Sequence, residues 1–558
     1  MDNHRLGSVR LRSGLCSNFS VSHSDISQHT TSPSSQRAAH WTFVAVSAML
    51  LPVMVLASFD FGVTWDEMSR HEYGVKVWEF IRGLRPRSSF AETGGHVYPG
   101  LFDTICAAAA DWLPWNRFTI RHVINAIFGW IGIVYCGRLA GRLFGPWAAV
   151  LGALLLALSP RYFAASMNNP KDLPFAAMSV TALYYISTVS PRWPYLPLWT
   201  AVKIAVSIAL ALSIRVGGLL YLGYFGLLIG ALILIERQTD WRRLADTALR
   251  VAAIVVAVLL LGTVFWPWAG GAPFTRPFEA LIGAGGYPWN GLVLFAGKEY
   301  EAQSLPWSYA PWWFLISTPL VTLAGAAVSP LVVSDRTNAL RIAGLWFVLT
   351  FPIATAIVMG STLYDAVRHL MFVRPVLVLI AVGGWIGLFS TLRSRPVRLA
   401  AGATLAAGLV SLTVFNVRFH PNQGVFFNSI VGGPSGAFKR YDMDYWGNCL
   451  FQSAEWAAQA GRRFGTTVTI SGDPLHLLHQ NAERLPEVDV SVGSEQRHHL
   501  FIDMARGELS DFRDLVSRVP LHEVRTPDGV VLCTITRGPA YNDMGRRSAA
   551  DRPGASGR

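Results

Sequence analysis

Gly62-Val63-Thr64-Trp65-Asp66-Glu67 sets two adjacent carboxylates just past an uncharged apolar run, Trp41 to Phe59. At about 1.5 Å of rise per residue, a helix of that length crosses the hydrocarbon core, so the acidic pair is expected immediately beyond a membrane face. A solvated acidic turn needs no function to explain it. This pair has company: Lys171 and Asp172, Arg215, and the run Tyr364-Asp365-Ala366-Val367-Arg368-His369 also stand at the ends of apolar stretches. Ionisable groups at membrane depth are expensive and usually mark a substrate path. A carboxylate there can take a proton from an attacking hydroxyl or amine, and cations can hold a departing phosphate. Moving a sugar off an anionic lipid carrier requires both.

Asp66 is the best candidate for the general base, with Glu67 positioning it or binding sugar hydroxyls. In Met167-Asn168-Asn169-Pro170-Lys171-Asp172-Leu173-Pro174 two prolines hold a polar turn between apolar stretches, which puts Asn168, Lys171 and Asp172 at the same face. Asn168, Asn169, Tyr364 and Asp365 are the candidates for substrate contact. Arg121 opens one apolar stretch, Arg215 lies in a turn, and Arg368-His369 opens another. Any one arginine at such a place can simply snorkel to the headgroups. As a set with Lys171, facing two acidic turns, Arg121, Arg215, Arg368 and His369 read as a clamp for the donor phosphate. His71, His96 and His122 could join Asp66 or Glu67 around a divalent metal, but no HExxH or CxxC spacing supports it, and no metal ligand is assigned. There is no Walker loop, dinucleotide fingerprint or Gly-x-Ser-x-Gly elbow, so an enzyme here needs an already activated substrate.

The elements that must position these groups follow from composition. The chain has 558 residues, is 52% hydrophobic and only 15% charged, and holds 20 Trp, far more apolar matter than a soluble core of this length uses. A polytopic α-helical membrane protein is expected. Apolar stretches at 41–59, 118–138, 146–162, 173–189, 199–213, 217–235, 250–268, 313–333, 343–359, 370–389 and 398–416 give about eleven spans, of which 199–213 is short enough to be re-entrant. Ala57-Ser58 would suit a signal-peptide cleavage site, but the long polar lead favours an uncleaved first span.

The net charge of +12 sits mostly in short connections, including Arg138 and Arg142, Arg237 to Arg250, Arg336 and Arg341, and Arg393 to Arg398. That is the bias of cytoplasmic loops, not of a nucleic-acid surface. It puts residues 1–40, too poor in apolar residues to order, in the cytoplasm as a disordered tail. A membrane domain then spans 41–417 with an outer loop at 60–117, and everything after 417 lies outside, in a bacterium at the periplasmic face of the inner membrane. Within 60–117, Val75, Trp78, Ile81 and Leu84, then Leu101, Ile105 and Trp112, predict two helices lying in the interface. Trp266, Trp268, Trp289, Trp307, Trp312 and Trp313, in and around the 269–312 loop, read as an aromatic belt, or more sharply as part of a lid over a lipid-linked substrate. Residues 418–540 change to strand-like runs and read as a small α/β domain, with 541–558 as a frayed tail. Cys449 and Cys533 fall in that domain, either as a disulfide or as two buried thiols.

Trp65-Asp66-Glu67 after the first span, Tyr98-Pro99-Gly100-Leu101, Arg121 at the second span, Ser159-Pro160-Arg161-Tyr162-Phe163 and Asn169-Pro170-Lys171-Asp172-Leu173-Pro174-Phe175 together resemble the C-type glycosyltransferase superfamily. The likeness is to family 39, the protein O-mannosyltransferases and lipid A aminoarabinose transferases. Tyr364 to His369, and His420-Pro421 to Tyr445-Trp446-Gly447, resemble a bacterial branch of it. The resemblance covers roughly residues 41–450. It implies an inverting hexosyl- or pentosyltransferase using a polyprenyl-phosphate sugar, with Asp66 as the first-loop base, Asp172 as the second-loop acid and Arg121 as the second-span arginine. The acceptor would be a lipid, a glycan or a protein, although the C-terminal β-trefoil of protein mannosyltransferases is not visible in the sequence. A flippase or transporter of lipid-linked sugars is the rival reading, and would call for broken helices in matching halves. An assembly protein is the other, and leaves the one-sided charges unexplained.

Overall fold

The computed structural model describes residues 32–90, 98–189, 193, 195–235, 240–286, 289–333, 335–490, 498–504 and 519–544. Helix α1, Pro33–Ala57, starts where the Ser32 side chain accepts from the Ser35 N–H and Pro33 opens the first turn. It carries the expected first span but begins upstream of it, so residues 33–40, expected to be disordered, are helical. The favourable cap and the alanines at 38 and 39 outweigh the polar composition there. Residues 1–31 and 545–558 of the two expected tails lie outside the described residues.

The 60–117 segment folds as α2, Glu67–Ile81, and α3, Leu101–Trp112. The two touch so closely at Gly74 that a Cβ there would lie 2.3 Å from the Asp103 carbonyl oxygen. Their inner faces bury Arg70, Tyr73 and Val77 against Phe102, Asp103 and Cys106, while Ile81, Leu84, Ile105 and Trp112 are left exposed for an interface.

The membrane helices follow as α4 Arg117–Phe144, α5 Pro146–Ala157, α6 Pro160–Asn168, α7 Asp172–Ile186, α8 Leu198–Leu212, α9 Leu219–Ile235 and α10 Trp241–Gly262. After the short α11, Arg276–Gly283, and the hairpin β1 Leu292–Phe295 with β2 Lys298–Glu301 come α12 Tyr309–Ser317, α13 Leu320–Val328, α14 Arg336–Val358, α15 Arg374–Thr391 and α16 Arg395–Arg418. Every expected apolar stretch is helical. Among the described residues, seven helices are long and apolar enough to cross a bilayer, and up to nine if the α5–α6 and α12–α13 pairs, bent by 68° and 113°, each make one span. The remaining two of the eleven, at 173–189 and 199–213, are helices of 15 residues. Proline at the first turn of α6 lets the chain turn there without losing a helical N–H. α7 and α15 are almost wholly enclosed, and α1 and α16 form the outside of the bundle.

Among the loop tryptophans, Trp266 and Trp313 are fully buried, and only Trp307 is largely exposed. They do not form a belt as a set. Trp313 instead packs against Tyr309, Phe427 and Tyr441, while Trp289 stacks on Tyr364 at 4.3 Å between ring centres.

Beyond α16 the chain makes α17 Gly433–Ala437, α18 Cys449–Phe464, β3 Val468–Asp473, α19 Leu475–Ala482, β4 Val488–Val490, β5 Leu500–Met504, β6 His522–Arg525 and β7 Val531–Arg537. The sheet order is β4-β3-β5-β7-β6, parallel across β4-β3-β5 and antiparallel across β5-β7-β6. The alternating burial of β5 and the apolar inner residues of β3 and β7 pack under α18 and α19. Cys449 at the head of α18 is bonded to Cys533 in β7, with 5.8 Å between their Cα atoms.

Candidate functional site

Asp66, Lys171, Asp172, Arg215, Tyr364, Asp365 and Arg368 converge although the sequence scatters them over three hundred positions. One Asp66 carboxylate oxygen receives the Lys171 ammonium at 3.0 Å and a guanidinium N–H of Arg368 at 2.7 Å. Asp172 pairs with Arg215 and stands 3.8 Å from Arg368, and Asp365 takes Arg368 Nε at 3.2 Å. Three carboxylates thus face three cations.

Each is fixed locally. The turn that carries Arg368 holds Asp365 and Ala366 at φ of 53° and 59°, a left-handed pair costing about 1–2 kcal/mol per residue. It is retained by the Tyr309 hydroxyl donating to the Ala366 carbonyl at 3.1 Å. The Arg368 guanidinium lies between the faces of Tyr364, 4.7 Å away, and Trp446, 4.9 Å away. Asn169 Oδ1 accepts from the backbone N–H of Lys171 and Asp172, and its amide donates to Asp172 at 3.3 Å. His369 packs its ring edge against Tyr364, 4.6 Å between centres.

Accessibility separates the acids. Glu67 and Asp172 side chains are 1% exposed, whereas Asp66 is 22% exposed. Burial acts to raise the Asp66 pKa, but the Lys171 and Arg368 charges and their hydrogen bonds overcome it and hold the carboxyl well below the usual range. Burial also pulls Lys171 down to about 8, with Asp66 opposing the shift and the positive charges of Arg368, Arg70 and Arg215 adding to it.

Three expected site residues lie elsewhere. Glu67 turns inward, accepting from the Thr64 N–H at 2.8 Å and facing His122 Nε2 at 3.0 Å, which shapes the turn before α2. Arg121 is 4.0 Å from Glu67 and donates to Asp103 at 2.8 Å, and Asp103 also binds Arg70. This buried layer has its own balanced charges, and Arg121 makes no ion pair with Asp66, Asp172 or Asp365 among the described residues. Asn168 likewise spends its amide on the Gly62 carbonyl at 2.9 Å and receives Thr64 Oγ1 on its own carbonyl. It braces the turn that carries Asp66. Among the described residues no group of three or more His, Cys, Asp and Glu side chains could hold a metal ion, and His96 lies outside them.

Residues that the sequence did not single out complete the support. Asn481 of α19 accepts from the Val63 N–H at 2.8 Å and donates to the Val63 carbonyl at 3.2 Å. Asn448 accepts from the Gly62 N–H at 2.8 Å, and Arg484 donates to the carbonyls of Phe61 and Phe59. The C-terminal region therefore grips the extended stretch leading into Asp66. Gly62 has to be glycine, since a Cβ would lie 2.9 Å from Phe451 Cβ and 3.0 Å from Asn481 Oδ1. The signal available was the glycine four residues before Asp66; its partners, some 400 residues away, had none.

Residues 116–268 match the family model described as dolichyl-phosphate-mannose-protein mannosyltransferase. The matched stretch includes Arg121, Lys171, Asp172 and Arg215. ArnT from Cupriavidus metallidurans is similar in fold in its apo state, with 14% identity and a TM-score of 0.46 over 89% of this chain and 98% of that one. The same protein bound to undecaprenyl phosphate gives 13% and 0.46 over the same shares. The Archaeoglobus fulgidus oligosaccharyltransferase tethered to an acceptor peptide gives 12% and 0.43, over 79% of this chain and 64% of that one. No curated protein sequence matches. With seven to nine apolar helices of spanning length among its described residues, the chain is an integral membrane protein with a small C-terminal sheet.

Proposed function

We propose that this chain is an inverting glycosyltransferase that moves one sugar from a polyprenyl phosphate to an acceptor at the outer membrane face, with Asp66 as base. One observation carries the reading: the most accessible acid of the cluster shares its oxygen between Lys171 and Arg368, beside the Arg215–Asp172 pair. The family match over 116–268 supports the donor class.

In the resting cluster the cations are spent on carboxylates. A donor phosphate entering beside Lys171 and Arg215, whose side chains are 15% and 19% exposed, competes with Asp66 for Lys171 and with Asp172 for Arg215. The Lys171 contact it takes is withdrawn from Asp66, whose affinity for a proton then rises. An acceptor oxygen or nitrogen attacks the anomeric carbon opposite the phosphate, the bond from that carbon to the phosphate oxygen breaks, and its electron pair stays on the phosphate. Asp66 takes the acceptor's proton. Donor occupancy and base strength are coupled through Lys171.

The orientation rests on charge and redox chemistry. The basic connections collect at the end of the bundle away from Asp66, as cytoplasmic loops do. The Cys449–Cys533 bridge suits an oxidising compartment such as a bacterial periplasm. The test is single-turnover sugar transfer, with folding and donor binding measured in parallel. Asp66→Asn keeps size and hydrogen bonding and should lower transfer by about 10² to 10⁴. Near-normal transfer would move the base to Asp172 or Glu67; near-normal transfer by Asn or Gln at all three would favour transport of lipid-linked sugars instead.

A further inference from the structure

At the opposite end of the bundle, a cavity of about 370 Å³ is lined by Arg138, Arg142, Tyr184, Tyr185, Thr188, Thr200 and Lys203. Three cations and four hydroxyls line it, and no carboxylate does among the described residues. We propose that the cavity binds the phosphodiester headgroup of an anionic membrane lipid.

Its depth fits. α4 carries Arg121 at one end and Arg138 and Arg142 at the other, 17 and 21 residues on by their numbers, which at 1.5 Å per residue is about 26 to 32 Å. That is about the thickness of the hydrocarbon core, so the cavity lies at the headgroup level of the far leaflet. Tyr195, Leu198 and Trp199 beside it are 63%, 66% and 73% exposed, as interfacial anchors are. A soluble anion would not need that apolar flank.

Its chemistry fits a phosphodiester. The Arg138 guanidinium is stacked over the rings of Tyr135, at 5.3 Å, and Tyr184, at 4.9 Å, which fixes its plane. One of its N–H groups donates to the Tyr184 hydroxyl at 3.2 Å, and Arg142 is braced by the Ser187 carbonyl at 3.2 and 3.3 Å. Lys203 is exposed and makes no hydrogen bond or ion pair among the described residues. Thr200 lies deep and Thr188 half-buried, and the Thr188 hydroxyl donates to the Tyr185 carbonyl at 2.6 Å, which fixes its oxygen at the wall of the cavity. The cytoplasmic charge bias alone accounts for basic residues here, but not for their gathering with four hydroxyls round a hollow.

The test uses the full-length protein in phosphatidylcholine nanodiscs doped with phosphatidylglycerol, read by native mass spectrometry of retained lipid and by thermal melting. Saturable retention of phosphatidylglycerol is expected, weakened about fivefold for each charge removed in Arg138→Gln and Lys203→Gln, and kept in Lys203→Arg. Lys203→Gln alone suffices if the arginine variant does not fold. Equal retention by wild type and Lys203→Gln, or equal retention of phosphatidylcholine, would overturn the proposal. So would inorganic phosphate raising the melting temperature as much as the lipid does, which would mark a site for soluble anions. None of these readouts depends on sugar transfer.

Discussion

Asn481→Ala removes both bonds that hold Val63. Asn481 is completely buried, and its side chain is at once the acceptor for the Val63 N–H at 2.8 Å and a donor to the Val63 carbonyl at 3.2 Å. Truncation strands two buried backbone groups at about 1–3 kcal/mol each, so a stability loss of about 2 to 6 kcal/mol is expected. Asn481→Asp keeps the acceptor and loses the donor, and should cost the smaller share. The larger consequence is for catalysis, because Val63 lies three residues before Asp66. A displacement of about 1 Å at a reacting group costs about 10² in rate. Single-turnover transfer separates the two effects: unfolding lowers the amplitude, whereas misplacement of Asp66 lowers the rate constant of the molecules that still react. Donor affinity should hold, because Lys171, Arg215 and Arg368 stand on other segments. A variant that melts early yet reacts with the wild-type rate constant would refute the claim that the C-terminal region positions the base.

The Lys171 pKa of about 8 gives kcat/KM an alkaline limb. The charged ammonium is the form that binds phosphate, so donor use is intact below that pH and falls about tenfold per unit above it, and Lys171→Arg should push the limb out of range. A pH profile unchanged by that substitution would remove Lys171 from the donor site. Arg368→Lys keeps the charge but loses the fork that spans Asp66 and Asp365 and the stacking on Tyr364 and Trp446, so donor binding should weaken by about tenfold or more in a direct binding assay. Reduction of Cys449–Cys533, which closes a loop of 84 residues, should lower stability by about 2–5 kcal/mol, measured by denaturant melts with and without reductant.

The helices were legible because a span announces itself by composition over about twenty residues, and so were the cluster's members, since charges at span ends have few reasons to be there. What the sequence could not rank was depth. Asp66 and Glu67 are neighbours, yet a helix starting at Glu67 sends one carboxylate to the cleft and the other beneath it. Arg121 follows the same logic: a span-opening arginine reads as outward until Asp103, on a helix with little span-like character, claims it. Trp266 and Trp313 were expected at headgroups because tryptophan favours that level, but aromatic packing against Trp268, Phe427 and Tyr441 took them inside. Two-residue contacts between Val63 and Asn481 leave no local pattern at all.

That last contact joins residues 418 positions apart. At a synthesis rate of about 5–20 residues per second, Val63 waits roughly 20 to 80 s for its partner to be made. Until then the segment before Asp66 lacks the bonds that seat it, while the spans carrying Lys171 and Arg215 are already built. The order of synthesis therefore makes the helix that carries Asn481 a completion check: a chain that ends after α15 but before residue 481 holds Lys171, Arg215 and Arg368 without the bonds that seat the segment before Asp66.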